Sequence, residues 1–510
     1  MSLERRIYKI LLFTFIGFQF LNLDLQSQLP EKKIKLNIQN KSLQFVFREI
    51  SHQTGLFFTY DANLIDAKEK KTIQINNLSL KQSLDTILNR DDLAYTIIDK
   101  NIVIFRKTPI IIPFDNDNKL KFFRLTGVVK DLSNNAPLAF ATIVLHGTNK
   151  GTLSNEKGAF SFRIPVNNEN PILVLSMIGY ENKHFVVDYS DKEDLVIKLK
   201  PRYISIEEVI IRYHNPEIIL KDVIKKIPRN YFSDPSFMEA YFREFTYKNN
   251  EVMTFSEAVL EISKQSYQNT TSTDKVRIQK GRKISNISKE DSVLLKIKSG
   301  IHSSLQLDII KNPNDFLQTD FQMYYDLNFS DIIYFKDRLT YVIHFKQKEN
   351  IEQALYQGQL YVGIEEMALL AADFEINPSL IGKESSMFFI KKSRNIKTRV
   401  LYAKYHVEYR KSEGSYHLSM VHGEVSFKIR KKRNWFSSIY KIVIELAVTN
   451  VDSEKEVKIS RNEQVRLGTI LSEENLPPDP LFWKEYNIIL PSKELSKALE
   501  RMGESWQEME

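Results

Sequence analysis

The sequence predicts a multidomain, mainly β protein: a small α+β N-terminal domain, a β-sandwich, and a large antiparallel-β C-terminal domain with flanking helices. Length is the first observation, because 510 residues correspond to roughly three domains of about 150 residues each. Composition is the second, because 32 Phe and 23 Tyr against 3 Trp favour strands. The third is the recurrence of short alternating apolar runs, separated by turn residues, from position 123 onward.

The N-terminus predicts export. Arg5, Arg6 and Lys9 precede the apolar run Ile10–Phe20, and a polar stretch that includes Ser27 follows. This order is typical of a secretory signal peptide, which we place at residues 1–27 with cleavage near Ser27. The apolar run is too short to span a bilayer, and an uncleaved anchor is the alternative.

Charge and cysteine content narrow the function classes. The net charge is +8, but an exported protein is not expected to meet nucleic acid, so anionic lipid or another protein is the better partner. The absence of cysteine excludes disulfide scaffolds, thiolate metal sites and cysteine nucleophiles.

Residues 33–107 are predicted to form the first domain after the signal peptide, built from two strand–helix units. An alternating strand at 34–38 and a second at 72–75 are each followed by a helical apolar stripe. Ser42 and Ser79 are placed to cap the two helices, and Ser79 with Gln82 forms a capping box. The segments 93–98 and 102–105 predict a closing hairpin.

This region resembles the short N-terminal domain of secretins and TonB-dependent receptors. The resemblance rests on NKSLQFVFREISHQTGLFFTYDANLI, NNLSLKQSLDTIL and LAYTIIDKNIVIFRK. It implies a periplasmic domain that contacts other proteins and has no catalytic role.

A linker at 108–122 and a β-sandwich at 123–201 come next. The linker contains two prolines and an Asn/Asp cluster. The sandwich strands are predicted at 125–129, 141–145, 160–164, 172–176, 185–187 and 195–199. Asn155-Glu156-Lys157-Gly158 predicts a hairpin turn, in which Gly158 is free to take a positive φ.

The sandwich resembles the carboxypeptidase regulatory-like domain, a transthyretin-type fold. The matching residues include Ala136-Pro137-Leu138, Gly158-Ala159-Phe160 and Ile178-Gly179-Tyr180. The resemblance implies a non-catalytic module. Residues 207–211 (EEVII) then resemble the segment before the plug of starch-utilisation-type TonB-dependent transporters, but we expect neither plug nor barrel in the residues that follow.

We divide the remaining chain into three regions. Residues 202–230 are predicted to form a connecting segment with a helix, and residues 231–475 an antiparallel-β domain. Residues 476–510 are predicted to form an exit loop with an amphipathic helix. Asn215 and Pro216 mark the start of the first helix. Hairpins are predicted around 336–338 and 365–367, and long strands at 400–408, 416–429 and 438–448. Segments such as YFREF and FWKEYNIILPS resemble uncharacterised envelope domains that follow the regulatory-like sandwich in other exported bacterial proteins.

Two histidine arrangements could suggest a metal. His214 and Glu217 form an H-x-x-E spacing with His344 far downstream, but the helix start at Asn215-Pro216 already accounts for these residues. His417 and His422 lie five residues apart, so a regular strand would point them to opposite faces.

Catalytic signatures are also missing from the sequence. Glu365 and Glu366 are adjacent in a turn, where we expect solvated carboxylates without raised pKa values. No G-x-S-x-G, phosphate-binding glycine loop or H-E-x-x-H occurs. We therefore predict no catalytic, cofactor-binding or metal-binding residue.

One concentrated charge feature remains as a candidate site. Arg430, Lys431, Lys432 and Arg433 are followed, after Asn434, by Trp435 and Phe436. A solvated hairpin tip is one interpretation. The other is contact with anionic lipid, with the basic side chains on phosphates and the aromatic residues in the membrane interface.

Taken together, these features predict a non-enzymatic protein of the periplasm, associated with the outer membrane, that binds proteins or an apolar ligand. Candidate partners are envelope proteins, including TonB-system components, and anionic lipid; nucleic acid is not expected. The alternative is an envelope hydrolase that acts on glycan or peptide, with its site in the C-terminal β domain.

Overall fold

The structure is a computed structural model that describes residues 33–60, 64–90, 93–98, 101–106, 122–166, 170–189, 195–202, 215–285, 295–297, 300–383, 388–392, 395–432, 435–455, 457–471, 474, 476, 486–492 and 495–497. The signal peptide, residues 108–121 of the linker, the segment 207–211, His214, Arg433 and most of 476–510 lie outside these residues. Among the described helices, none is long and apolar enough to cross a membrane. The chain divides into two compact units, residues 1–109 and residues 110–510.

The first unit is α+β, as the sequence predicts. In chain order it contains β1 (Ile34–Ser42), α1 (Leu43–Thr54), β2 (Phe57–Tyr60), β3 (Lys70–Leu78), α2 (Leu80–Leu88), β4 (Leu93–Ile98) and β5 (Asn101–Arg106). β1 pairs with β3, and a second sheet has the order β2-β5-β4. The Ser79–Gln82 capping box and the β4–β5 hairpin are both confirmed. The four-residue strand β2 escaped the sequence pattern because it is short and pairs in parallel with distant β5.

The second unit begins with the predicted sandwich. Its strands are β6 (Phe122–Asp131), β7 (Thr142–Leu145), β8 (Gly151–Leu153), β9 (Ala159–Pro165), β10 (Ile172–Ser176), β11 (Lys183–Val186) and β12 (Leu195–Leu199). They form the sheets β11-β10-β7-β8 and β12-β6-β9. The alternating residues of both sheets meet in one apolar core, which includes Leu125, Phe160 and Leu173.

Gly158 occupies the backbone conformation that the turn requires. Its φ is +74°, and its NH donates to the carbonyl of Asn155 at 2.8 Å. The turn connects β8 to β9, which belong to different sheets, so it is not the hairpin that the sequence predicts. A Cβ at this position would collide with the carbonyl oxygen of Val129.

Helix α3 (Pro216–Asn230) connects the sandwich to the large sheet. The Asn215 side chain accepts a hydrogen bond from the backbone NH of Glu217 at 2.9 Å, as expected for an N-cap before Pro216. Its buried face includes Leu220 and Val223.

The rest of the second unit is built on a ten-stranded antiparallel sheet with the order β15-β14-β13-β24-β23-β22-β20-β19-β18-β17. Its strands are β13 (Ser236–Lys248), β14 (Glu251–Lys264), β15 (Lys275–Ser285), β17 (Tyr325–Phe335), β18 (Arg338–Gln347), β19 (Tyr356–Gly363), β20 (Ala368–Ile376), β22 (Ile396–Ser412), β23 (Ser415–Lys431) and β24 (Ser438–Asp452). A separate pair joins β16 (Leu295–Ile297) to β21 (Phe389–Lys392). The mainly β fold class and the predicted hairpins are confirmed.

The two faces of this sheet differ. Neighbouring positions alternate, so Phe242 and Leu446 share one face, here called the inner face, while Arg243 and Glu445 share the outer face. The inner face is apolar and packs against α3 and against helix α4 (Ile301–Gln306).

The segment that follows α4 fills more of the inner face. Phe316 is fully buried there, and its ring stacks on Phe345 with 4.3 Å between the ring centroids. One buried charge cluster supports the segment: Lys264 Nζ lies 2.7 Å from a carboxylate oxygen of both Asp274 and Asp308. A chain segment of the protein itself therefore occupies the apolar face of the sheet.

Substituting Gly158 tests the sandwich turn. We expect Gly158→Ala to lower the free energy of unfolding by more than the roughly 1–2 kcal/mol that a left-handed backbone costs a residue with a Cβ, because the added methyl also meets a backbone oxygen. Gly147→Ala is the matched control, since Gly147 has φ +73° but open space around it. Urea unfolding followed by circular dichroism measures both variants, and equal losses would contradict the account of this turn.

Candidate functional site

The predicted basic and aromatic residues lie at one end of the large sheet, in the turn between β23 and β24. Trp435 and Phe436 are 94% and 90% exposed. Arg430 and Lys431 are the last residues of β23, and Lys432 follows in the turn. The structure therefore places five of the six candidate residues together, and Arg433 is outside the described residues.

Neighbouring segments support the turn that carries Trp435 and Phe436, here called the aromatic tip. The backbone NH of Lys432 donates to the carbonyl of Asn395, just before β22, at 2.8 Å. On the other side, Asn249 in the β13–β14 turn bonds Ile439 twice: its NH donates to the carbonyl at 2.8 Å, and its Oδ1 accepts from the NH at 2.9 Å. Two adjacent connections thus support the turn that carries Trp435 and Phe436.

A row of polar side chains crosses the outer face of all ten strands. The strand register aligns Arg282, Glu257, Arg243, Glu445, His422, His406, Asp373, Gln359, His344 and Asn328, in sheet order. A charged residue inside an otherwise apolar strand, such as Glu445 in IVIELAV, was the available sequence signal. The row itself could not be read from the sequence, because it depends on which strands are neighbours.

The first half of this polar row is covered by the chain's own C-terminal segment. Arg243 and Glu445 form a buried ion pair, and Arg243 Nη1 donates to the carbonyls of Ile489 and Leu490 at 3.0 and 3.1 Å. Burial alone would raise the pKa of Glu445, but the charge of Arg243, together with the His422 imidazole at 3.4 Å, lowers it to about 2. Arg243 therefore holds residues 489–490 against the sheet with a charge that Glu445 balances.

The sandwich covers the adjacent part of the outer face, at the end of the sheet away from the aromatic tip. Arg410 is buried and donates to the carbonyl of Asn149 at 2.9 Å, and the Asn149 amide donates to Glu413 at 2.7 Å. In the same interface, Thr152 donates to the carbonyl of Ile488 at 3.2 Å. The sandwich is thus joined to both the sheet and the C-terminal segment.

The second half of the polar row faces a wide groove of about 1260 Å³ across β17–β20 and β22. Four lysines and four carboxylates line it, so its formal charges balance: Lys346, Lys348, Lys383, Lys404, Glu349, Glu352, Asp373 and Glu375. Further hydrogen-bonding side chains in the groove belong to Asn328, His344, Gln357 and Gln359. The groove is therefore suited to a polar surface of mixed charge.

His406 links the groove to a buried carboxylate. Its Nδ1 lies 2.7 Å from Asp373 Oδ1, and its Nε2 lies 3.2 Å from Glu408 Oε1. Burial alone would lower the pKa of His406, but the hydrogen bonds and charges of the two carboxylates raise it to about 10. Burial would raise the pKa of Asp373 and of Glu408, but His406, with Lys336 beside Glu408, lowers both.

A second cavity of about 570 Å³ lies between α4 and the segment 461–467. Its buried cation, Lys311, donates to the carbonyl of Ser266 at 2.5 Å and to that of Asn269. Burial lowers the pKa of Lys311. These bonds show that Lys311 stabilises the β14–β15 connection.

The structure corrects the prediction for His417 and His422. An extra residue, Ser419, forms a bulge in β23. His422 pairs with His406 and His417 with Arg410, and His406 and Arg410 lie on the same face of β22. The two histidines therefore share a face, and the prediction of opposite faces was wrong because the sequence spacing hid the bulge.

Their surroundings nevertheless differ. His417 is fully buried, with Nε2 at 3.0 Å from Ser412 Oγ and Nδ1 at 2.7 Å from the carbonyl oxygen of Leu418. Burial, followed by the charge of Arg410, lowers its pKa well below the usual range. Within the described part of the chain, no group of three His, Asp or Glu side chains is arranged to hold a metal.

The remaining residues considered from the sequence, Glu217, His344 and Glu366, lie on different elements. Glu217 is exposed on α3, while His344 belongs to the groove on β18. Glu366 accepts from Arg338 at 2.9 Å and from Lys411. Burial alone would raise the pKa of Glu366, but these two cations lower it, so the pKa is not raised, as expected. Glu366 is half-buried and ion-paired, however, and not solvated as the sequence predicts.

Comparisons with known proteins identify one domain. Residues 125–211 match the family model described as the CarboxypepD_reg-like domain, which confirms that resemblance. No curated protein matches the sequence. The resemblance to the secretin and TonB short N-terminal domain stays a prediction.

Three solved structures show weak similarity to the chain. A DUF1329 family protein from Desulfovibrio piger is 15% identical, with a TM-score of 0.23, and the match covers 48% of this chain and 95% of that one. Lipovitellin is 10% identical, with a TM-score of 0.22 and coverage of 45% and 26%. A LolA superfamily protein from Nitrosomonas europaea is 10% identical, with a TM-score of 0.17 and coverage of 48% and 94%.

The charge of His406 can be tested directly. We expect its imidazole to stay protonated at pH 8, because Asp373 and Glu408 stabilise the cation. Since its pKa is raised on folding, its contribution to stability is complete below about pH 6.5 and is lost as pH rises through about 10. Side-chain NMR of ¹⁵N-histidine-labelled protein, with the signal assigned by His406→Gln, measures the midpoint. Asp373→Asn should lower it, and a wild-type midpoint near 6.5 would contradict this prediction.

Proposed function

We propose that this chain is a non-enzymatic, exported envelope protein, periplasmic and associated with the outer membrane, that acts by binding other envelope proteins. The observation that carries the proposal is the outer-face groove of about 1260 Å³ with balanced charges. A balanced, mixed-charge lining complements a protein surface better than a polyanion such as nucleic acid. The signal-like segment 1–27 supports export.

The inner face supports a protein partner over an apolar ligand. An apolar ligand needs an apolar cavity, and here the chain's own residues 301–317 occupy the apolar face, with Phe316 at the centre of an aromatic cluster. An apolar ligand would have to displace this segment.

The carboxylates of the groove favour binding over hydrolysis. A hydrolase of glycans needs one carboxylic acid that is protonated near neutral pH, together with a second, ionised carboxylate. The hydrogen bond and charge of His406 lower the pKa of Asp373, the groove carboxylate nearest the buried network, despite its partial burial. Asp373 is therefore a poor general acid, and we assign the groove a binding role.

The first unit supports a second protein contact. Phe57 on β2, an outer strand of the sheet β2-β5-β4, is 58% exposed. An exposed aromatic residue on an outer strand is typical of surfaces that pair with another chain. Components of the TonB system are the partners that the sequence resemblance suggests for this unit.

The proposed location has a direct test. We expect the full chain to cofractionate with outer membranes, and a chain without residues 2–27 to stay in the cytoplasm, because the signal peptide directs export. Density-gradient fractionation with inner- and outer-membrane markers measures both. Full-length protein that remains in the cytoplasm would contradict the proposal.

The proposed partner contact is tested at Gln359, which lies in the groove. A photo-crosslinking amino acid at Gln359 should give a discrete protein adduct in intact envelopes, because a bound partner would lie against that side chain. The same amino acid at Lys221, an exposed position on α3, is the matched control. Identical adduct patterns at both positions, or no adduct at Gln359, would contradict binding in the groove.

A further inference from the structure

The end of the sheet that carries the aromatic tip also carries four basic side chains on its outer face. In the strand register, Lys397 lies directly opposite Arg430, and Arg399 lies directly opposite Lys428. Lys428 and Arg430 are an even number of positions from His422 along β23, so they share its outer face. We call Lys397, Arg399, Lys428 and Arg430 the basic cluster.

This arrangement places like charges opposite each other. Cross-strand pairs of equal charge destabilise a sheet unless a counter-charge is present. One row further from the tip, Lys441 is paired with Glu424 at 3.3 Å. Among the described residues, no carboxylate forms a salt bridge with any member of the basic cluster, and Lys397, Lys428 and Arg430 are exposed. An external anion would relieve this repulsion.

Apolar side chains lie beside the basic cluster. Ile439 faces Lys428 across the β23–β24 pair and is 48% exposed, and Trp435 and Phe436 are almost fully exposed beyond it. Large aromatic residues of this kind are usually covered in a folded protein. Their exposure at a supported turn therefore indicates a partner that supplies anionic groups and also accepts apolar side chains.

The order of these groups fits a lipid surface better than an acidic protein. The aromatic residues lie at the extreme end of the hairpin, and the cations are set back along β22 and β23. At a bilayer, aromatic side chains likewise lie deeper than the phosphates that basic side chains contact. The sandwich contacts the opposite end of the sheet through Asn149 and Glu413, so it does not obstruct the tip.

We infer that this end of the sheet docks on an anionic lipid surface, with Trp435 and Phe436 in the interface and the basic cluster on headgroup phosphates. Each basic residue near such a surface strengthens binding by about fivefold at low salt. The inference does not depend on the groove, because the two surfaces are separate residue sets.

Vesicle sedimentation of the protein without residues 1–27 tests the inference. The probes are vesicles of phosphatidylglycerol with phosphatidylcholine and vesicles of phosphatidylcholine alone. Wild type should pellet with the anionic vesicles at about 50 mM salt and much less at about 500 mM, because salt screens the attraction. Lys397→Ser/Lys428→Ser/Arg430→Ser and Trp435→Ser/Phe436→Ser should each weaken binding by about tenfold or more.

A matched control removes three lysines elsewhere. Lys221→Ser/Lys225→Ser/Lys226→Ser on α3 changes the net charge equally and should leave binding unchanged. Equal loss in this control would show non-specific attraction and overturn the inference. Absence of wild-type binding would also overturn it, as would binding that survives Trp435→Ser/Phe436→Ser, because an acidic polymer would then be the better partner. Circular dichroism of each variant establishes that the fold is retained.

Discussion

The pairing of β13 with β24 is the contact on which the large domain depends. Twelve residue pairs join these strands, and they unite the hairpins β13–β15 with the seven strands β17–β20 and β22–β24 in one sheet. The same register places Phe242 beside Leu446 on the inner face and Arg243 beside Glu445 on the outer face. Both faces carry apolar residues, and each face is buried along at least part of its length. The segment after α4 covers the inner face, and the sandwich with residues 486–490 covers half of the outer face.

This arrangement explains where binding surfaces remain. In the covered half of the polar row, Arg243 is bound internally by Glu445 and by the carbonyls of Ile489 and Leu490. The open half keeps His344, Gln359 and Asp373 at the groove. At the end of the sheet away from the sandwich, the strands β22–β24 extend to the aromatic tip. The groove and the aromatic tip are therefore formed by different residues of the same sheet.

Local patterns predicted much of the fold. The capping box at Ser79, the helix start at Asn215 and the hairpins around 336–338 and 365–367 depend on neighbouring residues, and all are present. Features that depend on distant partners were not predictable. They include the parallel strand β2, the β13–β24 pairing and the polar row. The Ser419 bulge was missed as well, because one extra residue leaves no mark on the apolar pattern, yet it reverses the relation between His417 and His422.

A double-mutant cycle on Arg243 and Glu445 tests the central claim most directly. The claim is that β13–β24 register brings these two residues together as one buried ion pair that holds the C-terminal segment. Arg243→Met and Glu445→Leu should each cost about 3–5 kcal/mol of unfolding free energy, because each leaves the other charge buried and unpaired. The double variant should be more stable than the sum of the two losses predicts, by roughly 2 kcal/mol or more. Strictly additive losses would contradict the pairing.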